Sequence, residues 1–227
     1  MIISHRHKFI FIKSKKTAGT SIELALRPLC GPDDIIAPVR NEDEPMSAGH
    51  EPRNWQLCEP ESAMRRQCRK IFGFPAKKRT GYSEHMGAKD VRSLIGDGIW
   101  QEYYKISIER NPWDRQVSHY YYQTRPGTRR NLTFDQFMSR QRAYVNNYEI
   151  YSIDGAIAVD FVMRFESLQD DLAEACKRIG LPAPLEIPRA KAGIRKSQDY
   201  RSHYNERTKA LVADWYVAEI QHFGYNF

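Results

Sequence analysis

The fold is decided by one stretch near the start of the chain, Lys8-Phe-Ile-Phe-Ile12 followed by Lys13-Ser-Lys-Lys-Thr-Ala-Gly-Thr-Ser21. Its first part is a short apolar run, which is typical of a buried strand. Its second part is polar and rich in small residues, which indicates a loop. A helix then ends at Gly31-Pro32 and carries an apolar face made of Ile22, Ala25, Leu26 and Leu29. A strand, a loop and a helix in this order predict an α/β sheet.

Two more strand–helix pairs follow along the chain. Residues Tyr103 to Glu109 alternate as a strand does, and Arg110-Asn-Pro-Trp113 turns the chain into a helix, with a proline suited to the first helical position. Phe161 to Phe165 is the third predicted strand. The helix after it has its apolar stripe at Leu168, Leu172, Ala175, Cys176 and Ile179. A last amphipathic helix is predicted from about Glu206 to His222.

The segment between the first two pairs is less regular. Proline and glycine are frequent from 32 to 60, so we expect a single domain over 1–227 with an irregular insertion around 32–82 and a short helix over Ala88 to Ile95. The insertion contains a basic stretch over 65–79. That stretch could line a cleft for an acidic glycan, or it could be a solvated helix face.

Composition narrows the class of partner. The chain has 227 residues and a formal net charge of +7, and 41% of its residues are hydrophobic, which fits a folded domain that binds anionic partners. Its four cysteines lack CxxC spacing, which favours reduced thiols and a cytoplasmic setting. The apolar run near the start is too short for a membrane span. No metal-ligating cluster is recognisable.

The loop at Lys15 to Ser21 has the chemistry of an anion cradle. Gly19 would allow close backbone approach, Thr20 and Ser21 supply hydroxyls, and the following helix turns its N–H groups to the same spot. Lys16 adds a charge. An ordinary strand–helix turn with a solvated lysine pair is the alternative. The order of residues excludes the G-x-x-x-x-G-K-S/T phosphate loop, because Lys16 precedes the glycine.

Arg110 and Ser118 form a second candidate anion site. Arg110 follows a strand at its carboxyl end, where open α/β sheets bind ligands, and Ser118 lies two turns into the next helix. An arginine fork with a hydroxyl suits a phosphate monoester. The alternative is that Arg110 pairs with Asp114 or Glu109 on the surface.

Together these two elements resemble the sulfotransferases that use PAPS (3′-phosphoadenosine-5′-phosphosulfate), in the branch of carbohydrate sulfotransferases and bacterial relatives. That family has a P-K-T-x-G-T-S/T loop, which here is Lys15-Lys-Thr-Ala-Gly-Thr-Ser21 with Lys15 in place of the proline. It also has an R-N/D-P-aromatic-x-R-x-x-S segment, which here runs from Arg110 to Ser118. The ending Phe223-Gly-Tyr-Asn-Phe227 is similar too.

The resemblance implies a P-loop-like, three-layer fold with a central, mostly parallel sheet flanked by helices. It implies PAPS as the donor, 3′,5′-ADP as the product and no metal. Arg110 and Ser118 would hold the 3′-phosphate, and Lys16 is the candidate for stabilising charge on the leaving oxygen. The residues that would bind the 5′-phosphosulfate are Lys15, Lys16, Thr17, Ala18, Gly19, Thr20 and Ser21.

The acceptor hydroxyl needs a base, and His85 in Ser83-Glu-His-Met is the first candidate, because an imidazole can take a proton at neutral pH. A helix-capping or packing histidine is the alternative. Glu84 and His50 are the competing bases.

Two later segments are assigned by the resemblance alone. Phe165 would pack against adenine, unless it is plain core. Arg195 and Lys196 would close over the phosphates, unless they are a solvated charge run.

Other functions remain open on the sequence alone. A kinase-type phosphotransferase would require ATP and magnesium, a polynucleotide-binding protein would use the basic surface, and a PAPS-binding relative could lack catalysis. The expected acceptor is a carbohydrate or glycoconjugate, with a lipid, a peptide tyrosine or a small metabolite as alternatives.

Overall fold

The computed structural model of the chain describes residues 1–39, 49–57, 80–128, 131–188 and 199–227. Within these residues the main sheet has five strands in the order β3-β1-β2-β6-β9. Their bounds are Ile2–Ser4 (β1), Phe9–Phe11 (β2), Ile35–Ile36 (β3), Tyr104–Glu109 (β6) and Phe161–Arg164 (β9).

The centre of the sheet is parallel and one side is antiparallel. Strand β2 pairs in parallel with β6, with Phe11 opposite Ile106, and β6 pairs in parallel with β9. Strands β1 and β3 add an antiparallel side, in which Ile2 lies opposite Phe11 and Ile36. The predicted α/β class with mostly parallel central strands is confirmed, and the antiparallel hairpin of β1 and β2 was not predicted.

Helices cover both faces of this sheet and give three layers. In the described parts of the chain the helices are, in order, α1 (Gly19–Leu26), α2 (Ala88–Ile95), α3 (Asp97–Glu102), α4 (Pro112–Gln123), α5 (Phe134–Met138), α6 (Tyr148–Tyr151), α7 (Leu168–Ile179), α8 (Glu206–Trp215) and α9 (Val217–Phe223). Alternate strand residues enter opposite cores, as the pleat requires. Ile2, Phe9 and Phe11 pack with α1 and α7, whereas Ile3 and Ile10 pack with α2, α4 and α8.

Short elements complete the described chain. Gln56–Leu57 (β4) pairs with Thr80–Gly81 (β5), and Ser152–Ile153 (β7) pairs with Ala156–Ile157 (β8).

The last helix was predicted to be continuous, but it is broken at Tyr216. This residue leaves helical geometry at φ −122° and ψ 35° and separates α8 from α9. None of the helices in the described ranges is both long enough and apolar enough to cross a membrane.

This topology determines where a ligand site can form. Strands β2 and β6 are parallel neighbours, so their carboxyl ends lie side by side. The loop that leads into α1 and the turn that leads into α4 therefore leave the sheet at the same edge, which is where open α/β sheets bind ligands.

Candidate functional site

The loop after β2 has an unusual backbone. Lys16 and Ala18 have left-handed φ values of 65° and 66°, and α1 begins directly afterwards at Gly19. A residue with a side chain is strained in this conformation by roughly 1–2 kcal/mol. Turns of this kind collect N–H groups on one side, and the first turn of a helix adds more, so the loop can bind an anion.

Gly19 is needed for packing rather than for a left-handed turn. A Cβ at this position would lie 2.7 Å from Cγ of Lys13 and 3.4 Å from the carbonyl oxygen of Ser14. The missing side chain makes room for the buried stem of Lys13. The left-handed conformations of this loop belong to Lys16 and Ala18.

Arg110 leaves β6 beside this loop. Its Nη2 lies 2.6 Å and its Nε 2.8 Å from Oδ2 of Asp114. The ion pair with Asp114, which was the alternative to a phosphate-binding role, is therefore present. The guanidinium also stacks on Phe165 at 3.8 Å from the ring centroid, and Nη1 lies 3.5 Å from the carbonyl oxygen of Lys16. Glu109 pairs with Arg115 instead. The arginine is thus preorganised next to the loop rather than lying loose on the surface.

One cavity of about 420 Å³ is lined by two parts of the chain. The loop after β2 forms the first corner of the site, and Arg110 with Ser118 forms the second corner. Most of the predicted site residues line this cavity. These are Lys15, Lys16, Ala18, Gly19, Thr20, Ser21, His85, Arg110, Ser118 and Phe165.

Thr17 is not among the described residues that line this cavity. Thr17 is fully buried, and its hydroxyl lies 2.8 Å from the hydroxyl of Ser14, so its side chain supports the loop from below. Arg195 and Lys196 lie outside the described residues, as does the basic stretch 65–79.

The charged residues of the lining are mainly cationic, with Lys13, Lys15, Lys16 and Arg110 against Glu84. Lys13, which was not predicted, also lines the cavity, with its Nζ 2.5 Å from Glu84 and 3.1 Å from the buried Glu23. The ammonium of Lys16 lies 3.8 Å from the ring centroid of Tyr122, a cation–π contact on the cavity wall. The cavity therefore suits a ligand with negative charge.

His85 has the geometry of a base. Its Nδ1 lies 2.9 Å from the carbonyl oxygen of Lys13. A carbonyl only accepts, so Nδ1 carries the proton and Nε2 keeps a lone pair. Burial lowers the pKa of His85 to about 4, although neighbouring Glu84 acts in the opposite direction. The imidazole is therefore neutral at pH 7.

The competing bases are less well arranged. Burial alone would raise the pKa of Glu84, but the ion pair and hydrogen bond with Lys13 lower it, so this carboxylate is already paired with an ammonium at 2.5 Å. His50 is not among the described residues that line the cavity, and its carbonyl oxygen accepts from Arg27 at 3.3 Å.

Two further cavity residues were read as structural or not noticed at all. His119 is 8% exposed, its Nε2 lies 3.3 Å from the carbonyl oxygen of Arg142, and burial lowers its pKa to about 4. Tyr122 follows three residues later on α4. The helical spacing of Ser118 and Tyr122, four residues apart, could have indicated that they share a face.

The fold and the cavity define an α/β protein with a cationic pocket for an anionic ligand at the carboxyl edge of its sheet. A family model described as "Sulfotransferase family" matches residues 1–226. The chain belongs to the sulfotransferase family, and it is therefore a transferase of the sulfuryl-transfer class.

Individual relatives add little detail. An uncharacterized protein of Archaeoglobus fulgidus is 33% identical over 106 residues, which is 45% of this chain and 88% of that protein. A crystal structure of a sulfotransferase from Alicyclobacillus acidocaldarius aligns with a TM-score of 0.42 at 16% identity, covering 97% of this chain and 96% of that one.

Proposed function

We propose that this chain transfers the sulfuryl group of PAPS to a hydroxyl of an acceptor, leaving 3′,5′-ADP. The observation that carries the proposal is that one cavity is lined both by Lys16 with the segment Ala18 to Ser21 and by Arg110 with Ser118. PAPS has a phosphosulfate at one end of its ribose and a phosphate at the other. A ligand with two anionic ends needs two separate cationic or N–H-rich corners facing one space.

Some cavity residues would bind the donor, and Lys16 would act in catalysis. The loop N–H groups and the hydroxyls of Thr20 and Ser21 would hold the 5′-phosphate. Arg110, already fixed by Asp114 and Phe165, would hold the 3′-phosphate with Ser118. Lys16 would offset the negative charge that grows on the leaving oxygen.

His85 would take the proton of the acceptor hydroxyl on Nε2. The lone pair of this nitrogen is available because Nδ1 is bound to the Lys13 carbonyl. Positioning and charge stabilisation then supply the remaining catalysis, as they do for phosphoryl transfer.

The proposed acceptor is a sugar hydroxyl of a carbohydrate or glycoconjugate. Family membership supports a hydroxyl acceptor, and the positive net charge of +7 is compatible with an acidic glycan. A cytoplasmic setting is proposed because Cys30 and Cys176 are free, buried thiols.

A thermal shift with 3′,5′-ADP tests the donor first. We expect the melting temperature to rise with nucleotide concentration, because a ligand that binds only the native state stabilises it. ATP with magnesium serves as the comparison. A shift with ATP alone would favour the kinase-type alternative.

Transfer of label from ³⁵S-PAPS to a panel of glycans, lipids, tyrosine peptides and small alcohols then identifies the acceptor. Binding of the nucleotide without any transfer would indicate a non-catalytic relative.

Arg110→Ala is expected to weaken 3′,5′-ADP binding by about 2 kcal/mol, or roughly thirtyfold, because a charged hydrogen bond to phosphate is lost. Isothermal titration calorimetry measures the affinity. Arg178→Ala is a matched control, since Arg178 also pairs with an acidic residue one turn away, Glu174, and also stacks on a phenylalanine, but on the exposed surface of α7. Equal affinity in both variants would contradict the assignment of Arg110.

A further inference from the structure

Asn147 makes a contact with the anion-binding loop that no motif predicts. Its Oδ1 accepts from the N–H of Lys15 at 2.9 Å, and its Nδ2 donates to the carbonyl oxygen of the same residue at 2.9 Å. One side-chain amide thus pairs with both polar groups of one backbone residue. The residue pair is 132 positions apart in sequence, and Asn147 is fully buried.

The position of Asn147 suggests that its amide is reserved for this contact. It occupies the N-cap position of α6, where asparagine usually bonds to the helix N–H groups, yet it makes no side-chain cap bond. The neighbouring Asn146 accepts from the N–H of Glu149 at 3.3 Å instead. The two adjacent asparagines therefore have different roles: Asn146 binds the first turn of α6, and Asn147 binds the loop at Lys15.

The same amide reaches the second corner of the site through Glu109. Nδ2 of Asn147 lies 3.5 Å from Oε1 of Glu109, and this oxygen also accepts from the N–H of Arg110 at 2.8 Å. Arg115 neutralises the carboxylate at 2.5 Å, and Tyr151 donates to its other oxygen at 2.8 Å. A buried hydrogen-bond network of this kind is rigid, because each lost bond would leave a further polar group unpaired.

We infer that Asn147 is a positioning residue of the sulfuryl-transfer site: it holds the Lys15 backbone, and with it the strained Lys16, in register with the turn at Arg110. The inference rests on the proposed function for its effect on turnover. Lys16 would relax from its left-handed backbone if the preceding residue were released. Its ammonium would then move away from the reacting atoms, and a displacement of about 1 Å can cost on the order of a hundredfold in rate.

The variants Asn147→Ala and Asn147→Ser test this, with Asn146→Ala as the matched control. We expect both Asn147 variants to lower kcat roughly tenfold or more at temperatures well below their melting temperatures, with a smaller change in the KM for the nucleotide. Asn146→Ala should lower the melting temperature through loss of the cap and leave kcat unchanged. Wild-type kcat in folded Asn147→Ala or Asn147→Ser protein would overturn the inference.

A second measurement needs no ligand and separates this inference from the proposed function. Hydrogen exchange of the backbone amides over residues 13–21 should speed up in the Asn147 variants and stay at the wild-type rate in Asn146→Ala. Unchanged exchange in the Asn147 variants would overturn the inference. A wild-type protein that exchanges as expected but never consumes PAPS would overturn the proposed function alone.

Discussion

Lys16→Ala is expected to lower kcat by a hundredfold or more while the protein stays folded, since removal of one group that stabilises transition-state charge costs on the order of 10²–10³ in rate. The side chain of Lys16 is half-buried on the cavity wall against Tyr122, so its loss removes little from the core. Binding of 3′,5′-ADP should weaken much less than turnover, because the charge that Lys16 offsets develops only during transfer.

Two companion variants make the Lys16 result interpretable. Lys16→Arg keeps the charge in a different shape and should recover part of the rate. Lys8→Ala removes an exposed lysine at the other end of β2, where it pairs with Glu102, and should leave kcat unchanged. Initial rates with ³⁵S-PAPS and the melting temperature are measured for each. Near-wild-type turnover of folded Lys16→Ala protein would refute the role assigned to this lysine.

Local signals explain why the first corner of the site could be predicted. The apolar run, the polar loop and the helix from Phe9 to Leu26 are contiguous, and each is visible in a window of a few residues. The helix Ala88–Ile95 has its predicted bounds, and α7 ends at the left-handed Gly180. Short-range capping and periodicity were sufficient for these elements.

The missing parts of the fold depend on distant partners. Ile2–Ser4 is three residues long and becomes a strand because β2 and β3 flank it. Lys13 looks like a solvated loop lysine in the sequence, but its side chain is 1% exposed because Glu23 and Glu84 neutralise it. A buried lysine is recognisable only once its carboxylate partners, here 71 residues away in one case, are known.

The same reasoning applies to the candidate site. Local motifs indicated residues that line the cavity, such as Lys16 and Arg110, because a charged side chain directly after a strand is visible in the sequence itself. The contacts that hold these residues in place were not predictable, since Asn147 and Glu109 accept hydrogen bonds from the backbone N–H groups of Lys15 and Arg110. The packing constraint at Gly19 was not predictable for a related reason, because the atom that excludes a side chain there belongs to Lys13.

His85→Ala is expected to lower kcat by roughly a hundredfold or more, which is the usual contribution of a positioned general base. The base works only when deprotonated, so wild-type kcat/KM should be constant near neutral pH and fall as the pH drops through about 4, the value to which burial lowers the pKa of the free enzyme. Bound PAPS adds negative charge beside the imidazole and raises its pKa. The acid limb of kcat should therefore lie at higher pH than that of kcat/KM.

The pH profile distinguishes a base from a packing residue in a way that a single rate cannot. His85→Ala should lose this acid limb, whereas a histidine that only packs would lower the rate and leave the profile unchanged. His222→Ala, which removes an exposed histidine at the end of α9, is the control. This variant should keep the wild-type rate and the acid limb of the pH profile. If the limb persisted in His85→Ala, the proton would have to go to another group, and Glu84 would be next to test, because it lines the same cavity and its Oε2 lies 3.8 Å from Nε2 of His85.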